Sequence, residues 1–322
     1  MESEEIEFAV AQFEKTYDNV FSHIAELCSE KIIINDPVKK CRFCDKSEPE
    51  VSFKRIAHAI PELIGNKKIF TNNECDSCNE KFSLLLEDSL GKYLGMWRTL
   101  MQIKGKTGIV SYKAPDGISR IDFKKSGLEL HSYIDNQIIE INEEEKTITI
   151  KGYRQPYTPI AVYKCFVKMV LSVIPYNLLG FFDDTKRWLL EDSHEKAKGD
   201  IRPILTISSS VPGNKPFGEL MIIVMRRKDD IIKLPFMQMA IFFGNMGFQI
   251  IVPCKAKDFI LNGQKLDILT FPHPAWITNQ SLGKVQIGKI DLSGKTIVKN
   301  EPISVTMGYG HSERIIENGS NY

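Results

Sequence analysis

The sequence predicts an α+β chain. It would have an N-terminal amphipathic helix, a cysteine-bearing module and a larger mixed α+β domain with a mostly antiparallel sheet. Three observations carry this expectation. Two Cys-x-x-Cys pairs lie between residues 41 and 78. A strongly apolar helical stretch near 160–174 is followed by several β-rich runs that Gly/Pro turns separate. That helix-then-strands order argues against a doubly wound sheet, and no GxGxxG or GxxxxGK[ST] follows a strand, so no nucleotide cofactor is expected. The 322 residues suggest roughly two domains by length. Composition divides the chain into 1–35, 36–105 and 106–322.

Each element has its own reason. Over 4–28, Ile6, Val10, Phe13, Tyr17, Val20, Phe21, Ile24, Ala25 and Cys28 recur at three- and four-residue steps. This reads as one packing helix, with dimerisation as the sharper alternative. GIVSYK, SRIDF, LELHSYI, QIIEI and KTITIKGY, within 106–152, read as short strands. Pro156 and Pro159 then open the apolar helix. Its polar residues Lys164, Lys168 and Ser172 fall on one stripe, expected to be solvated, with phosphate contact as the alternative. A second helix is expected over Asn177–Leu190. ILTISSS, GELMIIVMRRK, MQMAIFFG and FQIIVPC read as strands, and the terminal ENGSNY as a mobile tail.

Charge and targeting signals narrow the class. Lys+Arg 42 against Asp+Glu 41 leaves +1, so any nucleic-acid contact must use a local basic face. No stretch is long and apolar enough for a bilayer, and MESEEIEF is no secretory leader. A cytoplasmic protein without a membrane partner is expected. Its seven cysteines are then not a disulfide framework. Cys28, Cys165 and Cys254 read as small buried apolar residues. His131, His194, His273 and His311 show no partner spacing.

Cys41-x-x-Cys44 and Cys75-x-x-Cys78 form the pattern of a closed four-thiolate zinc site. Each pair bends into a knuckle, and the metal would clamp the ends of the segment between them. VSFKRIAHAIPE reads as a strand running into His58. A Gly65-Asn66 turn, a short strand KKIFT and a helix starting near Cys75 follow.

Strand, loop, strand and helix, with Ala57-His58, Ile60-Pro61-Glu62, Asn72/Asn73, Cys78-Asn79 and Phe82 at these places, resemble the HNH endonuclease family. More narrowly, they resemble HNH modules of bacterial defence proteins. The resemblance covers about 45 residues, or about 65 with the following helix. It implies a ββα-metal fold with structural Zn²⁺ and a catalytic Mg²⁺ or Mn²⁺. His58 would be the general base, Asn79 a metal ligand on the helix, and Asn73 (or Asn72) the residue that holds the loop. An imidazole suits the first role, and hard cations favour the oxygen of the second.

One position departs from the pattern. Many members carry an acidic metal ligand directly before the histidine, where this chain has Ala57. Glu62 is the first candidate to replace it, with Glu80 and Glu87 behind. Other readings make His58 a core histidine or a spare zinc ligand, and Glu62 plain surface charge. Lys54, Arg55, Lys67 and Lys68 are placed to grip a nucleic-acid backbone, against ordinary solubilising charge as the alternative. The expected activity is metal-dependent hydrolysis of DNA in phage defence or restriction. Residues 106–322 would recognise a feature, a regulatory partner or a second copy in a homodimer. The competing reading is a non-catalytic zinc module that binds nucleic acid or protein, and Ala57 is the residue in its favour.

Overall fold

The computed structural model describes residues 3–24, 30–105, 108–114, 117, 119–131, 138–194, 205–214, 216–230, 233–258, 268–277 and 284–313. Cys28, part of LELHSYI and the ENGSNY tail lie outside the described residues.

Helix α1 (Ser3–Thr16) leads into strand β1 (Tyr17–Ile24). The cysteine-bearing segment contributes β2 (Ile32–Ile34), β3 (Ala57–His58), β4 (Ile69–Thr71) and α2 (Asp76–Phe82). A π-helical turn (Ser83–Glu87), α3 (Asp88–Leu94) and α4 (Met96–Leu100) continue it. Short strands β5 (Lys104–Gly105), β6 (Gly108–Ile109) and β7 (Tyr112–Lys113) come next. They precede β8 (Arg120–Lys124), β9 (Gly127–His131), β10 (Ile139–Asn142) and β11 (Thr147–Tyr153). Helix α5 (Pro159–Val173), a 3₁₀ segment (Tyr176–Phe182) and α6 (Asp183–Leu189) follow. The last part holds β12 (Leu205–Ser210), β13 (Phe217–Arg227), β14 (Met237–Gly244), β15 (Met246–Val252), α7 (Lys255–Asp258), α8 (Pro274–Ile277), β16 (Gln286–Asp291) and β17 (Pro302–Gly308).

The main sheet has six strands in the order β1-β13-β14-β15-β12-β16, antiparallel throughout. Its central strand β14 is buried on both faces, and this explains its unbroken apolar run. Met237, Met239, Ile241 and Phe243 pack into the cluster that holds α5, while Ala240 and Phe242 join Phe13 and Tyr17. Helices therefore cover both faces. The α5 cluster extends without a break from Cys41 to Leu292, so the cysteine-bearing segment shares its core with the sheet.

Three expectations are corrected. The helix expected over 4–28 ends at Thr16, and Tyr17–Ile24 is an edge strand pairing with β13 from Tyr17↔Arg227 to Ile24↔Met221. Residues 17, 20, 21 and 24 fit a helical step. Pairing decides otherwise for this aromatic and β-branched stretch, and the Tyr17 hydroxyl fixes it by donating to the Pro235 carbonyl at 3.0 Å. The helix expected over Asn177–Leu190 is a 3₁₀ segment followed by α6. The stripe Lys164, Lys168 and Ser172 is neither solvated nor free to meet a phosphate: all fifteen residues of α5 are buried. A buried ammonium needs partners. The partners of Lys168 lie in the cysteine-bearing segment.

His273, unassigned by spacing, is a buried packing residue against Phe242. The Ala275 N–H donates to its Nδ1 at 3.2 Å, so Nε2 carries the proton and donates to the Ser209 hydroxyl at 2.9 Å. That tautomer cannot deprotonate Ser209, so the pair is no nucleophile–base dyad.

Candidate metal centre and catalytic site

The four cysteines converge. The sulfurs of Cys41, Cys44, Cys75 and Cys78 all lie within 4.8 Å of one another, and three of the residues are buried. A tetrahedral zinc with Zn–S bonds of about 2.3 Å sets its sulfurs about 3.8 Å apart. The Cys44 and Cys75 sulfurs are 3.8 Å apart. The donor set thus fits zinc in chemistry and spacing. Without a cation the thiols oppose one another. A hydrogen bond from Cys78 draws the Cys41 thiol down to about 5, that same bond drives Cys78 up, and burial raises Cys44 to about 11. Four thiolates need a bound positive ion.

Local turns build the two knuckles. In the first, the Asp45 N–H bonds to the Cys41 carbonyl at 3.1 Å, and Asp45 takes a left-handed φ of 59°. In the second, Cys75 is the residue before α2, and the Asn79 N–H bonds to its carbonyl at 3.0 Å. Phe43 meets Phe82 edge-on at 4.7 Å between them. The Asn73 side chain is buried and donates to the carbonyls of Val38 (3.0 Å) and Lys40 (3.2 Å) while accepting from the Asp36 N–H (2.8 Å). It braces the approach to the first knuckle. Asn72 bonds to Asn35 instead, at 2.6 Å.

His58 ends β3 and pairs with Phe70 of β4; their rings lie 4.6 Å apart. The strand is held at both ends. Upstream, the Asp76 carboxylate accepts from the Ser52 hydroxyl (2.6 Å) and from the N–H groups of Lys54 (3.0 Å) and Arg55 (3.1 Å). Those bonds, the Ser52 bond first, lower its pKa. Downstream, Asn66 donates to the Ile60 and Ile69 carbonyls and accepts from the N–H groups of Lys68 and Ile69. Gly65 makes the turn possible with a φ of 95°. Asn79 lies one residue beyond Cys78 on α2, half-buried, and its amide has no protein partner among the described residues.

Ala57 is 2% exposed and offers no oxygen. Glu62 pairs with Lys67 at 2.8 Å. Glu80 is exposed on α2. Glu87 is half-buried at the end of the π-helical turn, with its carboxyl pKa raised by burial. For a second, hard cation the set is therefore partial: an uncommitted amide at Asn79, a carboxylate already paired at Glu62, and nothing at Ala57.

Helix α5 underlies the site. The Lys168 ammonium donates to the His58 carbonyl at 3.1 Å and pairs with Glu74 at 3.0 Å, and both side chains are fully buried. Burial alone would discharge the lysine, but Glu74 and Glu87 hold its pKa above the usual value. Arg42, inside the first knuckle, forks onto Asp36 and donates to the Leu171 and Ile174 carbonyls, both at 3.0 Å. It thereby caps the C-terminus of α5 with a positive charge. Lys168, Glu74, Arg42 and Asp76 escape sequence reasoning, because their partners lie far off in the chain. Only the polar stripe on an apolar helix hinted at Lys168.

The basic residues divide. Lys54 and Arg55 are exposed beside Ile56, just before His58. Lys67 is exposed but paired with Glu62, and Lys68 is half-buried and paired with Glu219 at 3.1 Å.

Two short strands and a helix, clasped by a four-cysteine cluster with a histidine at the first strand's end, define a ββα module whose cysteine cluster fits zinc. Residues 41–94 match the HNH endonuclease family model, so this stretch is similar to an HNH endonuclease domain. No curated protein and no solved structure matches the chain. No helix among the described residues is long and apolar enough to cross a membrane.

Proposed function

We propose that the protein is a metal-dependent endonuclease that hydrolyses DNA phosphodiester bonds, in phage defence or restriction. The observation that carries this reading is the family match over 41–94, on a segment whose cysteines cluster as a zinc site. Residues 36–105 are the nuclease module, and 106–322 the recognition or regulatory part. Four thiolates leave zinc no open position, so its role here is structural.

His58 is the general base that takes a proton from the attacking water. Asn79, with Glu62 released from Lys67, would hold a Mg²⁺ or Mn²⁺ ion. Such an ion supplies positive charge at the scissile phosphate. Lys54 and Arg55 contact the backbone beside His58, with Lys67 and Lys68 beyond the turn. Asn73 keeps the two knuckles in register.

The buried Ala57 favours a second reading, a non-catalytic zinc module that binds nucleic acid or protein. One experiment separates the two: incubation of the zinc-loaded protein with supercoiled plasmid and Mg²⁺ or Mn²⁺, beside His58→Ala. Metal-dependent nicking lost in the variant supports the nuclease. Nicking unchanged in the variant removes His58 as base. No nicking with either metal, in folded zinc-loaded protein, favours the binding module.

A further inference from the structure

A cavity of about 290 Å³ lies between the HNH domain and the main sheet. Its walls come from the turn after His58 (Ile64–Lys68), from β1, from the segment after α4 (Met101–Lys104), and from β13 and β14. Its volume sits at the lower edge of small-molecule sites. That is room for a compact metabolite and not for a nucleic-acid strand.

Three features suggest a ligand. The first is His23, which lines the cavity at 2% exposure with an Nδ1 that no described residue hydrogen-bonds. A buried ring nitrogen left unsatisfied calls for an explanation. The second is Gln102, a non-glycine residue with a left-handed φ of 54°, whose side-chain amide has no protein partner among the described residues. That backbone closes α4 as a left-handed cap, with the Gln102 N–H on the Thr99 carbonyl at 2.9 Å and the Ile103 N–H on the Arg98 carbonyl at 3.0 Å, and it sets the Gln102 side chain at the cavity wall. The third is charge: Lys67, Lys68 and Lys104 line the cavity against Glu219 alone. Lys104 is exposed and unpaired among the described residues. The pairs Lys67–Glu62 and Lys68–Glu219 are partly exposed and hence weak. A doubly charged anion can draw both lysines away from them. Between these groups, Met101, Leu220 and Phe243 provide an apolar surface.

We infer that this cavity binds a small organic phosphate: a monoester whose head lies among Lys67, Lys68 and Lys104 and whose apolar or aromatic body lies on Met101, Leu220 and Phe243. Lysine serves as a point-charge phosphate binder, and Gln102 supplies a neutral donor. The inference does not rest on the nuclease reading, and a bound ester would compete with a nucleic-acid backbone for Lys67 and Lys68.

Calorimetric titration of full-length, zinc-loaded protein tests it, with phenyl phosphate and AMP as probes and inorganic phosphate and adenosine as controls. At least one ester binds one-to-one with a Kd below about 1 mM, and both controls bind about tenfold more weakly or worse. Lys104→Glu weakens the ester about tenfold. Gln102→Gly, which keeps the left-handed backbone, weakens it about threefold. Both variants melt like the parent, since neither removes a packed contact. Failure of both esters to bind below about 1 mM overturns the inference. Equal affinity in parent and both variants does the same, and inorganic phosphate binding as tightly as the esters overturns the organic body.

Discussion

The Nζ of Lys168, on a helix 110 residues downstream, donates to the backbone carbonyl of His58 at 3.1 Å and has no exposed surface. Its other partner, Glu74, directly precedes Cys75 of the four-cysteine cluster. One buried ammonium thus ties the histidine strand and the second knuckle to the central helix of the fold. Lys168→Met strands a buried carboxylate and costs about 3–5 kcal/mol. The double change Lys168→Met/Glu74→Leu costs less than Lys168→Met alone, because a matched apolar pair leaves no orphan charge. Urea unfolding of the three proteins decides this. A double variant less stable than the single one would show that the pair holds more than its own charges.

Ala57→Asp restores the acid that many HNH members carry before the histidine. Position 57 is buried, so an aspartate there without a cation loses hydration and lowers the melting temperature by a few degrees. Mn²⁺ reverses that loss, since a ligand that binds only the folded state stabilises it. On the proposed nuclease reading, half-saturation of nicking then falls to about one tenth of the parent's Mn²⁺ concentration or lower. A melting temperature that Mn²⁺ leaves unmoved would place the introduced carboxylate away from any cation.

The sequence and the structure agree where the signal is local. The sequence signals of both knuckles, the His58 strand, the turn at Gly65 and the helix at Asp76 each lie within a few positions along the chain, so spacing suffices to find them, although Asp76, Phe70 and Lys168 are what hold the His58 strand in place. The strand runs of the main sheet are legible for the same reason. Tyr17–Ile24 is not, because its apolar residues satisfy a helical and an extended pattern equally, and only the edge of β13 selects one. The lysines of α5 mislead for a related reason: a polar stripe looks solvated until its partners, Glu74 and the His58 carbonyl, are known. The Arg42 cap on Leu171 and Ile174 spans about 130 residues and leaves no pattern along the chain.

Removal of zinc unfolds the HNH domain rather than loosening it. The knuckles have only a handful of local hydrogen bonds of their own, and four thiolates of like charge cannot close without a cation. Cys78→Ser therefore binds less than one zinc per chain and loses the protected amides of 41–94 in hydrogen exchange. The far strands β14 and β15 keep most of theirs, because they pair within the main sheet. Equal protection of 41–94 with and without zinc would make the metal dispensable for the fold.

Acid acts through His273. Burial lowers its pKa to about 4 from the ordinary 6.5. A depressed histidine means that the unfolded chain binds the proton first, so its stabilising contribution is complete above about 6.5 and is lost as pH falls towards about 4. Asp258 works in the opposite sense: burial raises its pKa to about 6, so its contribution is present near pH 4 and is lost as pH rises through 6. His273→Gln keeps a neutral amide beside Ser209 and removes the proton linkage. Between pH 7 and 4.5 the parent should lose about 2 kcal/mol more than this variant, since one pKa unit is worth about 1.4 kcal/mol. Comparing the two proteins at each pH cancels zinc release, which acid promotes in both. Parallel stability curves across that interval would mean that His273 is protonated in the folded protein, with its Nδ1 no longer able to accept from Ala275.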